Sequence, residues 1–91
     1  MAKVVIKQMP AFKKTYKKLH AKQKVIVDKA IRDIVKNPML GQEKKGDLSQ
    51  VHVYKFKINR QEMLLAYEWN PELRLLLALG VHENFYRNLK H

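Results

Sequence analysis

The chain has 91 residues, no cysteine, and 19 Lys and Arg against 8 Asp and Glu, for a formal charge of +11. That length accommodates one domain with one modest core, and without cysteine neither a disulfide framework nor a thiolate metal site can hold it, so packing must. The positive field suits a polyanion, nucleic acid first and an acidic protein next, although many solvated lysines would give the same composition.

The N-terminal MAKVVIKQMP lacks the apolar core of a signal peptide, and no apolar run approaches the roughly 20 residues of a membrane span, so the cytoplasm is the expected location. Within it KVVIKQ, residues 3–8, is short and rich in β-branched residues and reads as a first strand. Pro10 suits the first turn of a helix, where its missing N–H costs nothing. Phe12, Tyr16 and Leu19 then recur at i, i+4 and i+7, and Lys13, Lys14, Lys17 and Lys18 between them predict a strongly basic outer face. A tight turn near His20 to Gln23 leads into a second helix over 21–37, where Val27, Ala30, Ile31, Ile34 and Val35 trace one apolar stripe that Asn37 and Pro38 end.

From 38 to 50 the periodicity vanishes, and Gly41 and Gly46 mark a loop rich in charge that carries Lys44 and Lys45. Residues 50–58, 62–69 and 72–79 read as three strands joined by short hairpins. In the first, His52, Tyr54, Phe56 and Ile58 share a largely apolar face, and Val51, Val53, Lys55 and Lys57 share the other. LRLLLALG is nearly all apolar, which suits a central strand covered on both faces. In the ending HENFYRNLKH, Phe85 and Leu89 stand four apart, as for the buried side of a short helix. His82 and Tyr86 would share a neighbouring face, and Glu83 and Arg87 could pair across a third. The order is β-α-α-β-β-β with a tail, an α+β fold in a single domain over 1–91.

There is no glycine-rich phosphate loop, no paired-histidine zinc spacing and no nucleophile elbow, the one serine being Ser49 in a loop. Cationic and imidazole chemistry remains, with Lys55, Lys57, Arg60, His82, Tyr86 and Arg87 as its candidates. Two residues apart on a strand places the bases of Lys55 and Lys57 about 6.6 Å from each other, close enough for both amines to converge on one phosphate. Lysines on an exposed or edge strand also serve solubility and block aggregation, and the pattern alone does not choose. His82 could equally be a surface or capping histidine and Tyr86 a half-buried aromatic. Tyr16, Tyr54, Tyr67 and Trp69 are expected in the core or at its rim.

Taken together, the element order, the passage NPMLGQEKKGDLSQVHVYKFKI, the strand LLAYE and the ending LGVHENFYRNLK resemble the RelE/ParE superfamily of toxins from bacterial type II toxin–antitoxin modules. The resemblance implies a microbial-ribonuclease-like fold: two N-terminal helices on a mainly antiparallel four-stranded sheet, with a short C-terminal helix. RelE-like members cut messenger in the ribosomal A site without metal or cofactor. Their 2′-hydroxyl attack leaves a 2′,3′-cyclic phosphate and a 5′-hydroxyl. ParE-like members poison DNA gyrase instead.

By the same resemblance Lys55 and Lys57 match the two lysines of the catalytic strand, where they would neutralise the charge that grows on the phosphate and one of them could deprotonate the 2′-hydroxyl. A family arginine three residues before the strand tyrosine is replaced by Leu64, and Arg60 is the nearest substitute cation. His82 stands where a second arginine follows the glycine of the last strand, and would act as general acid. Tyr86 matches the base-stacking tyrosine, two residues nearer that glycine. The implied catalytic set is thus Lys55, Lys57, Arg60, His82 and Tyr86. Nucleic-acid contacts are expected from Lys13, Lys14, Lys17, Lys18, Lys44, Lys45 and Arg87. The implied partners are an acidic antitoxin, the ribosome and messenger, with DNA met only through the antitoxin complex and no membrane. A gyrase inhibitor, which Leu64 favours, and a non-catalytic basic RNA-binding protein are the alternatives.

Overall fold

The computed structural model describes residues 3–43 and 50–81. Strand β1 (Val5–Gln8) leads into helices α1 (Pro10–Lys17) and α2 (Ala21–Lys36), and a single 3-10 turn (Pro38–Leu40) precedes strands β2 (Gln42–Glu43), β3 (His52–Ile58), β4 (Gln61–Asn70) and β5 (Leu73–Val81). The strands form one sheet in the order β1-β5-β4-β3-β2, with β1 parallel to β5 and every other pair antiparallel.

The helices start and stop where local chemistry directs. Met9 is extended and Pro10 opens α1, while at its end the Lys18 N–H returns to the Thr15 carbonyl and the Leu19 N–H to that of Tyr16. The His20 N–H donates to the Gln23 side chain at 2.9 Å, occupying a backbone donor at the start of α2. Asn37 leaves the helical region at the other end, and its side-chain oxygen accepts from the Met39 N–H at 3.2 Å.

Both helices pack on one face of the sheet. Phe12, Val27, Ala30 and Ile34 meet Ile58, Met63, Leu65, Tyr67, Leu76 and Leu79 in the main core. Each large apolar side chain fully buried there contributes about 1.5–3 kcal/mol. Val51, Val53, Leu64 and Ala66 form a second cluster on the opposite face. Leu76 and Leu79 reach the same core although three residues apart. Ala66 pairs with Ala78 and Tyr67 with Leu76, so Leu77 is an extra residue in β5 and the strand's alternation resets there.

Arg74 is buried within the apolar run of β5. Its Nε donates to the Ile34 carbonyl at 2.9 Å and Nη2 to Val35 at 2.9 Å, and Nη1 donates to Asn70 at 2.7 Å. One guanidinium thereby occupies two of the carbonyls orphaned at the end of α2 and fixes that end to the β4–β5 turn. The Trp69 ring lies 5.7 Å from its central carbon.

Among the described residues the α+β architecture and the order of elements are as expected, with one difference; the expected short C-terminal helix lies outside them. The sheet has five strands rather than four, because Gln42 and Glu43, within the stretch read as loop, pair with Val53 and His52. Two exposed polar residues are too few to show an alternation. Among the described residues no helix is long and apolar enough to cross a membrane.

Candidate functional site

Strand β3 divides its side chains as its alternation requires. Tyr54, Phe56 and Ile58 pack into the helix-side core, so Lys55 and Lys57 point from the opposite face, where both are exposed. They share that face with Val51 and Val53, which are buried. Because β2 pairs only with His52 and Val53, the stretch carrying the lysines is free on its outer side among the described residues. This position suits an anion approaching from solvent, and it is equally where an edge strand needs charge.

The rows across the sheet give the lysines their neighbours. Lys55 pairs with Leu64, which pairs in turn with Gly80; Lys57 pairs with Glu62. Leu64, at 0% exposure, packs with Val51, Val53 and Ala66, so the position expected from the resemblance to match an arginine is part of an apolar cluster. The hairpin between β3 and β4 turns through Asn59, whose φ of 57° is a left-handed conformation that Asn tolerates, and Arg60, which is exposed. A cleft of about 730 Å³ opens at this end of the molecule, lined by Leu19 from the turn between the helices and Gln23 from α2, by Asn59, Arg60 and Glu62, and by Val81.

The cations named from sequence fall into two groups on opposite sides of the sheet. Lys13, Lys14 and Lys17 are exposed on α1 and Lys18 caps it, all on the helix side. Lys55 and Lys57 are on the other, with Arg60 at the hairpin end. A polyanion touching both groups must therefore pass around an edge of the sheet. Lys44, Lys45, His82, Tyr86 and Arg87 lie outside the described residues.

The tyrosines are ties between elements, at the core and its rim as expected. The Tyr16 hydroxyl donates to Asp28 at 2.7 Å, joining α1 to α2, and the Tyr54 hydroxyl donates to Asp33 at 3.4 Å, joining β3 to α2. The Asp28 hydrogen bond, then burial, raises the Tyr16 pKa; burial, then the Asp33 charge, raises that of Tyr54. Burial likewise pushes Tyr67 up, opposed by the Gly41 N–H. All three are neutral phenols at neutral pH and cannot serve as bases.

Two residues gain a place that sequence reasoning missed. Arg74 carried no signal, being a lone charge in an apolar run. Glu62 was findable, since reading Asn59 and Arg60 as a two-residue turn pairs Ile58 with Gln61 and sets Glu62 opposite Lys57.

Comparison with known proteins places this arrangement. Residues 6–90 match the model of a family described as ParE-like toxin of type II bacterial toxin–antitoxin system. A search of curated proteins finds no match. Among solved structures, the intact E. coli RelBE toxin–antitoxin complex contains a chain 16% identical to this one, with a TM-score of 0.68 over 88% of this chain and 98% of that one. The isolated E. coli RelE toxin is 15% identical, with a TM-score of 0.66 over 96% of each chain. The YoeB/ParE toxin from Agrobacterium tumefaciens is 15% identical, with a TM-score of 0.67 over 90% of this chain and 99% of that one. At such identities the likeness is one of fold.

Proposed function

The chain belongs to the ParE-like toxin family of type II bacterial toxin–antitoxin systems, and from that premise we propose that it arrests growth as a ribosome-dependent messenger endonuclease of the RelE kind, acting in the cytoplasm. The observation that carries this reading is the lysine pair: Lys55 and Lys57, at the spacing of the family's catalytic strand, stand exposed on one face of β3. Their ammonium groups neutralise the charge that grows on the phosphate as the 2′-hydroxyl attacks, an effect worth about 2.7–4 kcal/mol per well-placed donor. Arg60, exposed at the adjoining hairpin, is the substitute for the cation that Leu64 does not supply.

His82 protonates the departing 5′-oxygen. Tyr86 stacks a messenger base, contributing about 1–3 kcal/mol to holding the strand splayed for in-line attack. The chemistry calls for no metal or cofactor. The basic outer face of α1, with Lys44, Lys45 and Arg87, docks the toxin on ribosomal RNA through phosphates. An acidic antitoxin with a segment that folds on binding neutralises the same charge, as the RelBE complex pairs a toxin with its antitoxin. DNA is met only through that complex.

A second reading, gyrase inhibition, is favoured by one observation: Leu64 is apolar and wholly buried where the ribonuclease branch carries a cation. Toeprinting on translating ribosomes, run beside a supercoiling assay, separates the two. We expect cleavage within the A-site codon and unimpaired gyrase. Loss of supercoiling with no cleavage replaces the first reading with the second.

A further inference from the structure

The stretch of β3 that carries the lysines is bonded along one edge. Its outer side pairs at His52 and Val53 and, among the described residues, is free from Tyr54 onward, so the ladder to β4 alone ties Lys55 and Lys57 into the sheet. A strand bonded along one edge can pivot about it, and fixing its tilt takes anchors on a face. Phe56 and Ile58 anchor it by apolar packing on the helix-side core, which has no preferred direction. Tyr54 adds a directed contact. Its hydroxyl donates to Oδ2 of Asp33 on α2 at 3.4 Å, and its ring stacks on that of Phe56 with centroids 6.1 Å apart and planes inclined by 22°.

The hydrogen bond is long for a hydroxyl, and it directs because both of its ends are held. Asp33 immediately precedes Ile34 and Val35, whose carbonyls each accept from the buried Arg74 guanidinium at 2.9 Å. The post to which Tyr54 is tied is therefore itself fixed to β5. At the other end Tyr54 adjoins Lys55, and planar trans peptides hold successive Cα atoms about 3.8 Å apart, so a shift of the Tyr54 backbone is carried into Lys55 and on to Lys57. The second tyrosine–aspartate pair supplies a contrast. Tyr16 donates to Asp28 at 2.7 Å, a shorter bond of the same kind, yet it joins α1 to α2 rather than a helix to β3.

We infer that Tyr54 and Asp33 are positioning residues for the cleavage proposed above, an inference that rests on that reading: their contact pins the one-sided stretch of β3 to α2 and so fixes where the two lysine ammonium groups meet the phosphate. Both lie on the helix side of the sheet, and the lysines point from the other, so they act through the strand and not on the substrate. The demand on geometry is steep, since a misplacement of about 1 Å at reacting groups can cost about 10²-fold in rate.

The test is single-turnover cleavage on programmed ribosomes, with amide hydrogen exchange of the same free proteins. It compares the wild type with Tyr54→Phe, Asp33→Ala, the double variant of these two, Asp33→Asn and Tyr16→Phe. Tyr54→Phe and Asp33→Ala should each lower the rate at saturating ribosome about 10–10²-fold and leave half-saturation unchanged. The double variant should lose no more than either alone, because one contact is removed in all three. Asp33→Asn keeps an acceptor oxygen and should retain most of the rate. Tyr16→Phe should cut within about twofold of wild type although it forfeits the shorter bond. The β3 amides that bond to β4 should exchange faster in Tyr54→Phe and Asp33→Ala and not in Tyr16→Phe.

A Tyr54→Phe protein that cuts within about twofold of wild type, a Tyr16→Phe loss as large as that of Tyr54→Phe, or additive losses in the double variant overturns the assignment. A wild type that does not cut at all overturns the proposed function itself, and the exchange data then judge the tie alone: unchanged β3 exchange in Tyr54→Phe overturns that too.

Discussion

The hydroxyl of Tyr67 accepts a hydrogen bond from the Gly41 N–H at 2.9 Å and donates its own proton to the Pro38 carbonyl. One buried phenol thus ties the turn that follows α2 to the central strand of the sheet. Gly41 makes this possible by having no side chain: a Cβ there would stand 2.6 Å from the hydroxyl and 2.8 Å from the ring. Its φ of −75° is ordinary, so the requirement for glycine comes from the close approach alone.

Two substitutions should expose that relationship. Gly41→Ala forces the turn and the ring apart and is expected to cost about 1–3 kcal/mol. Tyr67→Phe leaves a buried N–H and a carbonyl without their partner, for a loss of about 1–3 kcal/mol. Urea unfolding with an unchanged m-value measures both.

Alkaline pH should reveal the same phenol. Burial holds the Tyr67 pKa above its ordinary value, near 10, so above about pH 10 the unfolded chain releases a proton that the folded chain keeps. The unfolded state then binds fewer protons, and stability falls as pH rises. Tyr16 and Tyr54 add to this fall in the same direction. The deficit of Tyr67→Phe relative to wild type should therefore narrow above about pH 10, which urea titrations from neutrality upward would show.

Arg74 makes the opposite kind of contact, a buried cation without a carboxylate. It is 4% exposed, and each of its three nitrogens donates to backbone carbonyls, those of Ile34 and Val35 at the negative end of the α2 dipole and those of Asn70 and Leu73. Arg74→Met keeps the volume and strands those carbonyls, and should cost about 2–4 kcal/mol. Burial lowers the Arg74 pKa, yet an arginine starts so high that the charge persists at neutral pH and stability should not change there from this group.

These ties also mark where sequence reading reaches its limit. The alternation from Val51 to Ile58 was legible because the two faces differ chemically, one packing on the helices and the other carrying the lysines. The helix stripes were legible for the same reason. Nothing in LRLLLALG distinguishes two faces, so neither the reset at Leu77 nor the helix-ward direction of Arg74 could be read from it. Gln42–Glu43 was invisible because its pairing is made by backbone alone. The place of Glu62 depends on register, which a turn sets and composition does not.

The lysine pair separates function from stability. Lys55 and Lys57 are exposed, so Lys55→Ala or Lys57→Ala should move unfolding free energy by less than about 0.5 kcal/mol. On the proposed mechanism each lowers the single-turnover cleavage rate about 10²–10³-fold and relieves growth arrest. Variants that fold and remain fully toxic would reduce the pair to protection of the sheet edge.

The helix-side lysines should behave differently, as docking charge. Replacing Lys13, Lys14, Lys17 and Lys18 by Gln is expected to weaken ribosome binding at every messenger sequence. It should also lower the slope of log affinity against log salt by about 0.7–0.9 for each phosphate no longer neutralised. The cleavage rate at saturating ribosome should be unchanged, because these residues sit across the sheet from Lys55 and Lys57. An unchanged salt slope would assign the docking to other residues.

Leu64 tests whether the missing cation can be put back. The position is fully enclosed, between Lys55 on one strand and Gly80 on the other, and packs with Val51, Val53 and Ala66. Leu64→Ala opens a cavity and should cost about 2–5 kcal/mol. Leu64→Arg sets a guanidinium into the same enclosure beside Lys55, where desolvation and like-charge repulsion act together, and the expected loss is at least as large. Its cleavage rate should not exceed that of wild type, because this apolar cluster has committed the sheet to a packing that a buried arginine disrupts. Urea unfolding and single-turnover cleavage of the same preparation decide the point: a stable Leu64→Arg protein that cuts faster would mean that the cluster yields to charge after all.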